Sequence, residues 1–497
     1  MNMTLNELCD RIRKSPRSIR TDSRKVEVGD IFVALPPAAR EGSGAPDLRS
    51  DYIRSAKAQG AGVIVADPRF AAGSDNGTEG ASPEFIPVAD ARSALGQLAA
   101  ARWGTEHLNF PVIAVTGTNG KTTCAYLLEH AWRSSGRKAG VLGTVSYRWP
   151  GHEEEAPLTT PGCLDIHERL AAMRDAGVDV AVMEVSSHAL DQNRIAGVEF
   201  SGALFTNLTQ DHLDYHDGME DYFSAKRKLF TTVRRADKVM AINADDPYGL
   251  RLLEQLPHAV PFGLNLTSAR PAAGLACTVL SDTPRGMELR LTWQGKSWFL
   301  STPLVGRHNA ANLSAVIALG LQMGFQPGDF SCFHEFCGVS GRLERIPTPK
   351  SGKGANVGIF VDYAHTPDAL TRAQEALRDA GFSRIITVFG CGGDRDRTKR
   401  PLMGKSVARG SDVAVLTSDN PRTEDPESIM DDVMPGLAGA GEIHREADRR
   451  KALALALDLA RSGDAVLVAG KGHEPYQIIG NVKYPFSDQQ ILKELLR

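Results

Sequence analysis

One stretch constrains this chain more than any other. Ala114 to Thr123 reads AVTGTNGKTT. An apolar, β-rich run at Val112–Thr116 ends in a turn holding two glycines, and a helix-length segment opens at Lys121. A strand that feeds a glycine turn and then a helix is the first half of a parallel βαβ unit. The backbone N–H groups of such a turn, together with the helix N-terminus, favour phosphate. Lys121 is placed to neutralise β- and γ-phosphates, and the Thr122 hydroxyl to ligate Mg²⁺. The spacing departs from G-x-x-x-x-G-K-[ST], because Val115 holds the first glycine position. A plain strand-to-helix turn is the alternative, and the Gly-Lys-Thr context on both sides argues against it.

The rest of the chain extends this pattern. Its 497 residues exceed one ordinary core, so roughly two to four domains are expected. From Met1 to about Asn109, short strand candidates (Asp30–Leu35, Gly62–Ala66) lie among Gly-, Pro- and Ala-rich stretches. Pro36–Ser50 and Ala71–Pro83 read as loops. From about Phe110 to Gly341, apolar runs at Val112–Thr116, Val178–Val185, Gly202–Asn207 and Lys238–Asn243 alternate with helical segments. That alternation predicts a mainly parallel sheet covered by helices. Leu275–Val305 switches to period two, which predicts a small antiparallel flap, and Asn309 is expected to open a helix with Leu313, Val316, Ile317 and Leu321 on one face. From about Leu343 the alternation restarts, with strand candidates at Gly358–Val361, Arg384–Phe389, Val413–Thr417 and Ala465–Ala469. In such sheets ligands bind beyond the carboxyl ends of the strands, where the polar motifs of this chain fall.

Charge and cysteine content narrow the class. A formal net charge of −3 gives no overall field toward nucleic acid or an anionic membrane. The seven cysteines are odd in number and form no C-x-x-C pair, which argues against a disulfide framework or a zinc site and suits a reducing cytoplasm. MNMTLNELCDRIRKSPRS has no apolar core of signal-peptide length, and no apolar run approaches the roughly 20 residues of a membrane span.

Four further clusters carry chemistry. Glu184 and His188 lie in MEVSSHAL, and Asn207, Asp211, His212, Asp214 and His216 in FTNLTQDHLDYH. Carboxylate and imidazole near a phosphate turn suit Mg²⁺, although such residues alone are as readily hydrogen-bond partners of loops. Lys226 follows in YFSAKRKLF. By composition it reads as a solvated helix lysine; the sharper reading is a lysine carbamylated by CO₂, which is a carboxylate-like metal ligand. GCGGDRDRTKRP and TSDNPRTEDP gather Arg395, Arg397, Lys399, Arg400 and Arg422 after two strands, which fits an acidic substrate, because guanidinium reads carboxylate bidentately. A solvated charged loop is the plainer reading. GKGHEPYQ places Glu474 at the same edge, as an acceptor for an ammonium group.

Taken in order, TDSRKVEVGDIFVAL, GTNGKTT, TTPG, EVSSHAL, TQDHLDYH, AKRKLF, GRHNAAN, GRLERI, VDYAHTPDAL, GGDRD, DNPR and GKGHE resemble the Mur ligase family over nearly the whole chain. The resemblance is strongest to the branch that adds the third amino acid to UDP-MurNAc-L-Ala-D-Glu. It implies an α/β protein of three domains. Residues 1–109 would bind the UDP-precursor, 110–342 would form a central ATP-binding domain with a P-loop-type, mostly parallel sheet, and 343–497 would form a Rossmann-like domain for the amino acid. It implies that Gly117, Thr118, Asn119, Gly120, Lys121, Thr122, Thr123, Asn309, Arg342 and Asp362 hold ATP. Ser23, Thr159, Thr160, Ser186, Gln192 and Arg194 would hold the UDP-precursor. Lys121, Glu184, His212 and Lys226 would be catalytic, with Thr122, Glu184, His212 and carbamylated Lys226 serving Mg²⁺. Arg395, Asp419, Asn420, Arg422, Gly470 and Glu474 would hold the incoming amino acid. The string DNPR favours meso-diaminopimelate over L-lysine, because Arg422 offers a fork for the extra carboxylate. If lysine bound, a buried, unpaired Arg422 would cost about 3–5 kcal/mol. PPAAREGSGAPDLRSDYI departs from the family's short Asp-Gly loop, so no nucleotide contact is expected from it. The extra N-terminal segment argues against a folate ligase, and the presence of Lys121, Glu184, His212 and Lys226 against a non-catalytic nucleotide binder.

Overall fold

The computed structural model describes residues 3–37, 47–73, 83–209, 211, 215–232, 238–266, 274–349, 352 and 354–497. The chain forms two compact units. Unit 1 comprises Met1–Lys121, Trp132–Ile242 and Asp246–Ala259, and unit 2 comprises Thr122–Ala131, Asn243–Asp245 and Val260–Arg497.

Unit 1 opens with a four-stranded parallel sheet, β1 (Ile19–Arg20), β2 (Ile31–Val33), β3 (Val63–Ala66) and β4 (Glu84–Pro87), in sequence order. Its inner strands are buried on both faces, as β-branched runs without polar alternation require. Ile31, Val33, Val63 and Val65 face a core shared with helices Leu5–Lys14 and Ala91–Trp103, while Phe32, Ile64 and Ala66 face one shared with helix Arg49–Ala58. Thr4 and Glu7 close a reciprocal cap on the first helix.

The second sheet of unit 1 uses β5 (Val112–Thr116), β6 (Ala139–Leu142), β7 (Ser146–Trp149), β8 (His152–Glu155), β9 (Val180–Glu184), β10 (Gly202–Phe205) and β11 (Val239–Asn243). Their order is β11-β10-β5-β9-β6-β7-β8. The first five run parallel and β7 and β8 return antiparallel. The carboxyl ends of β5, β9 and β10 therefore lie side by side, and the phosphate turn leaves from the middle one.

Unit 2 holds β12 (Val260–Gly263), β13 (Leu275–Thr283), β14 (Gly286–Trp293) and β15 (Lys296–Thr302). The last three form the expected antiparallel flap. Gln294 and Gly295, both at positive φ (50° and 77°), make the two-residue turn between β14 and β15 whose twist matches that of paired strands. A six-stranded sheet follows: β16 (Glu344–Ile346), β17 (Gly358–Asp362), β18 (Ile385–Phe389), β19 (Val413–Leu416), β20 (Glu442–Arg445) and β21 (Ala465–Ala469). Its order is β16-β17-β21-β18-β19-β20, parallel except for β16. Because β21 inserts between β17 and β18, the loops that follow these strands diverge and leave a crevice at their carboxyl ends. A separate hairpin joins β22 (Tyr476–Ile479) to β23 (Val482–Pro485).

Several boundaries differ from the sequence expectations. The flap's following helix is Arg307–Gln322, opening two residues before Asn309, behind Gly306 at φ 88°. Arg49 and Ser50 are helical, and Ala71–Gly73 ends a 3₁₀ turn, so both expected loops are shorter. Residues 38–46 and 74–82 lie outside the described residues. Among the described residues no helix is long and apolar enough to cross a membrane.

Candidate active site

The turn after β5 is shaped by its neighbours. Gly117 has φ 150° and Gly120 φ 85°. A Cβ on Gly117 would collide with the Thr206 hydroxyl, so only glycine fits there. Thr118 N–H donates to the Asn207 carbonyl (2.9 Å) and Asn119 N–H to the Asn207 side-chain oxygen (2.9 Å). The loop after β10 thus braces the turn. Lys121 Nζ donates to the carbonyls of Gly117 (3.0 Å) and Thr118 (2.9 Å), which holds the ammonium over the turn. Thr122 and Thr123 continue into the helix and are partly exposed.

Lys226 is not a solvated helix lysine. It is 1% exposed, and its Nζ donates to the Gly117 carbonyl at 2.8 Å and sits 4.7 Å from the Tyr222 ring centroid. Burial pushes its pKa well below the ordinary lysine value, and nearby Lys121 acts in the same direction. Tyr222 OH in turn meets Thr118 Oγ1 at 3.1 Å. The i,i+4 pair Tyr222 and Lys226 on helix Met219–Thr232 therefore reaches the underside of the phosphate turn.

Glu184 ends β9, paired with Val115 of β5 and fully buried. Its carboxylate accepts from Thr144 N–H and Thr144 Oγ1, both at 2.9 Å. His212 and Asp214 lie outside the described residues. His216 is buried and 3.1 Å from Asp221, and His188 packs its ring against Tyr215. Among the described residues no group of three or more His, Cys, Asp or Glu side chains is placed to hold a metal.

Beside Glu184, four of the residues expected to hold the UDP-precursor meet in one network. Thr160 Oγ1 donates to the Glu184 carbonyl (2.8 Å) and accepts from Ser186 N–H (3.0 Å). Arg194 donates to the Thr160 carbonyl (3.2 Å) and to Gln192 Oε1 (2.9 Å), and burial lowers its pKa. Thr159 Oγ1 lies 3.2 Å from Thr144 Oγ1. Gln192 and Arg194 also border a cavity of about 460 Å³ whose wall includes Arg20, Thr21, Asp22, Lys25 and Arg92. Ser23 is buried within the 3₁₀ turn that presents Asp22 and Lys25. The sequence pattern does not single out Arg20, Lys25 or Arg92, although two of them fall inside or beside the TDSRK string.

In unit 2, Asn309 is anchored by the Val305 carbonyl (2.9 Å). The Arg342 guanidinium lies 5.4 Å from the Tyr363 ring centroid. Asp362, at the end of β17, accepts from Leu343 N–H (2.7 Å) and Ala364 N–H (2.8 Å), and burial raises its pKa.

A cavity of about 480 Å³ opens at the crevice of the six-stranded sheet, bordered by Arg395, Asp419, Asn420, Arg422, Gly470 and Glu474 together. Every residue expected to hold the amino acid is in that wall. The local charge differs from expectation, however. Arg397 is bound to Asp432, and Arg400, 1% exposed at its side chain, is clamped by Glu424 (2.7 Å) and Asp432 (2.8 Å). Arg400 is thereby committed to the loop, while Arg397 stays 66% exposed at its side chain. Arg422 is half-buried at φ 51°, and its Nη1 donates to the Gly393 carbonyl (2.7 Å). Glu474 already accepts from Asn420 Nδ2 at 2.9 Å.

A nucleotide-type turn at the carboxyl edge of one parallel sheet and a polar, arginine-bearing cavity at that of another are features of an α/β nucleotide-dependent enzyme with a separate site for a charged substrate. Residues 115–320 match the Mur ligase middle domain and residues 341–472 the Mur ligase glutamate ligase domain. The chain belongs to the Mur ligase family of ATP-dependent ligases. It is 51% identical to the UDP-N-acetylmuramoyl-L-alanyl-D-glutamate–2,6-diaminopimelate ligase of Lawsonia intracellularis, covering 99% of this chain and 98% of that one. The protein of the same name from Gloeobacter violaceus is 42% identical, over 99% and 98% of the two chains. A solved structure of an enzyme with that name superposes with a TM-score of 0.69 at 32% identity, over 96% of this chain and 94% of that one.

Proposed function

We propose that this chain adds meso-diaminopimelate to UDP-MurNAc-L-Ala-D-Glu at the expense of ATP, in cytoplasmic synthesis of the peptidoglycan precursor. The carrying observation is the single cavity wall that combines Arg395 and Arg422 with Asp419, Asn420 and Glu474. Guanidinium suits a distal carboxylate, and the acidic and amide groups suit an ammonium beside it. L-lysine has the distal ammonium alone. The seven thiols are all free, which fits a reducing compartment.

The reaction divides into two displacements. The D-Glu side-chain carboxylate attacks the γ-phosphorus of ATP, the bond to the β–γ bridging oxygen breaks, and ADP leaves. The amine of the amino acid then attacks the acyl carbon, loses a proton, and expels inorganic phosphate. The first step needs charge neutralisation and alignment more than covalent help. The Lys121 ammonium and the helix N-terminus behind it supply it at the end of β5, while the Thr118 and Asn119 N–H groups stay bound to Asn207 and keep the turn in shape. The Thr160–Ser186–Gln192–Arg194 network holds the muramoyl-peptide with its carboxylate toward that turn. Asn309, Arg342 and Asp362 are assigned to adenosine, and Ser23 to the uridine nucleotide.

The Glu184 carboxylate and the Thr122 hydroxyl suit Mg²⁺, a hard cation that takes few protein oxygens; Lys226 would join them once carbamylated, with His212 assigned as a further ligand. Bound there, Mg²⁺ would offset the charge of the phosphate oxygens. Burial lowers the Lys226 pKa and so favours the neutral amine, the form that adds CO₂ with loss of a proton. Three functional segments, residues 1–109, 110–342 and 343–497, complete the reading.

Phosphate release measured with UDP-MurNAc-L-Ala-D-Glu and a panel of amino acids tests it. Diaminopimelate is expected to support turnover far better than lysine, and Lys121→Ala to abolish ADP formation while the chain stays folded. Equal turnover with both amino acids, or an active Lys121→Ala enzyme, overturns the assignment.

A further inference from the structure

Lys471 follows β21 directly, between two glycines held at positive φ (112° and 53°). A Cβ on Gly470 would strike the Asp419 carboxylate, and one on Gly472 would strike Tyr363. The backbone therefore runs flush against the wall of the amino-acid cavity, and the Lys471 side chain, 0% exposed, turns inward behind that wall. A loop lysine ordinarily reaches water, because burying an ammonium is costly unless oxygens surround it. Here Nζ donates to Asn420 Oδ1 at 2.9 Å, and it lies 3.5 Å from Glu474 Oε2 and 3.9 Å from Asp419 Oδ1.

These contacts settle the Asn420 amide. Its oxygen takes two donors, Lys471 Nζ and Ile478 N–H (both 2.9 Å), so its NH₂ must face the other way, where it donates to Glu474 Oε2 (2.9 Å). Without the ammonium one of the three contacts that fix that orientation is lost, and Asp419 and Glu474 lose the cation that lies within 4 Å of both. Arg449 and Asp488, the next charges outward, neutralise one another at 2.8 Å with both side chains fully buried. Lys471 acts on Asp419 more strongly than Arg449 does.

We propose that Lys471 is a positioning residue of the amino-acid site: its buried ammonium fixes the Asn420 amide and holds the Asp419 and Glu474 carboxylates in register for an ammonium-bearing ligand. The proposal rests on the reading of this cavity as the amino-acid site. Burial pushes the Lys471 pKa down and that of Asp419 up, while each opposes the other's shift, as expected of groups ordered against their desolvation cost. Lys471 reaches the substrate only through Asn420, Asp419 and Glu474.

The test uses the full-length enzyme with Lys471→Met, which keeps the chain length and removes the charge. A lost charge-assisted hydrogen bond is expected to raise KM for the amino acid about tenfold to a hundredfold, with KM for ATP and for the UDP-precursor unmoved. In a double-mutant cycle with Asn420→Ala the two effects should not add, since both act through one amide. Should Lys471→Met fail to fold, Lys471→Gln, which keeps a donor toward Asn420 Oδ1 but removes the charge beside Asp419 and Glu474, takes its place, with a smaller rise in the amino-acid KM expected. An unchanged amino-acid KM, or additive effects in the cycle, overturns the proposal. A wild type that uses L-lysine overturns the substrate reading alone, because the KM test is then run on lysine.

Discussion

At the scale of single residues, burial decides which charged groups work on substrate. Lys226 and Lys471 look alike in sequence to any surface lysine, yet both are buried against oxygens, at Gly117 and at Asn420. Composition assigns Lys226 to solvent and gives no sign of the Lys471 burial, because Gly117 and Asn420 lie tens of residues away in sequence. Lys226→Ala should lose most ligase activity. Short carboxylates such as formate or acetate should restore part of it by occupying the position assigned to the carbamate. Activity near wild type without added carboxylate would sink that role. Arg422 moves the other way. The sequence suggests a buried fork that lysine would orphan, but the guanidinium is half-buried and keeps the Gly393 carbonyl as a partner. The discrimination to expect is that of one charged hydrogen bond, about 1.5–3 kcal/mol, or roughly ten- to a hundredfold in kcat/KM. Arg422→Ala should reduce kcat/KM for diaminopimelate by that factor and narrow the gap to lysine. A variant that keeps the full gap would show that another group reads the distal carboxylate.

At the scale of elements, the central strands were legible and the clamps between loops were not. β5 matches its predicted bounds, and β9, β10, β11, β17, β18, β19 and β21 shift by at most two residues at an end. Apolar β-branched runs of that length, buried on both faces, have few alternatives. β6 to β8 and the β22–β23 hairpin escaped notice. His152–Glu155 and Val482–Pro485 are largely exposed and carry charges, so neither shows an apolar pattern. The GGDRDRTKR loop reads as one basic patch until Glu424 and Asp432, from a different helix and loop, are seen to close on Arg400. The clamp makes a pH-dependent contribution with a definite sign. Arg400 holds the Glu424 carboxyl at about 2, below its ordinary 4.5. A carboxylate depressed in the folded state adds stability that is fully present above pH 4.5 and is lost as pH falls toward 2. The Glu424 side chain is partly exposed (24%), so solvent screening discounts the effect. Glu424→Gln should lower the unfolding midpoint at pH 7 by about 2 °C, less in high salt, and the gap to wild type should close by pH 2 to 3. A gap that widens on acidification would mean that the pair does not contribute this way.

At the scale of the whole molecule, the two cavities proposed for substrates are each built from one unit. The cavity that includes Gln192 and Arg194 draws every wall residue from unit 1, and the one that includes Asp419 and Arg422 draws every wall residue from unit 2. Each unit also has hydrophobic cores of its own, among them the one under β2 and β3 and the pair on either face of the six-stranded sheet. A ligand that binds only folded protein stabilises what it binds by mass action, about 2.7 kcal/mol at a hundredfold excess over Kd. For units of this size that corresponds to roughly 5–10 °C in midpoint. Calorimetry of the intact chain should therefore resolve two transitions. UDP-MurNAc-L-Ala-D-Glu should raise one of them and diaminopimelate the other, and Arg194→Ala and Arg422→Ala should each erase only the shift of its own ligand. If both ligands raise both transitions equally, or a single transition persists in every condition, the units do not unfold separately and the division of the substrates between them has no thermodynamic counterpart.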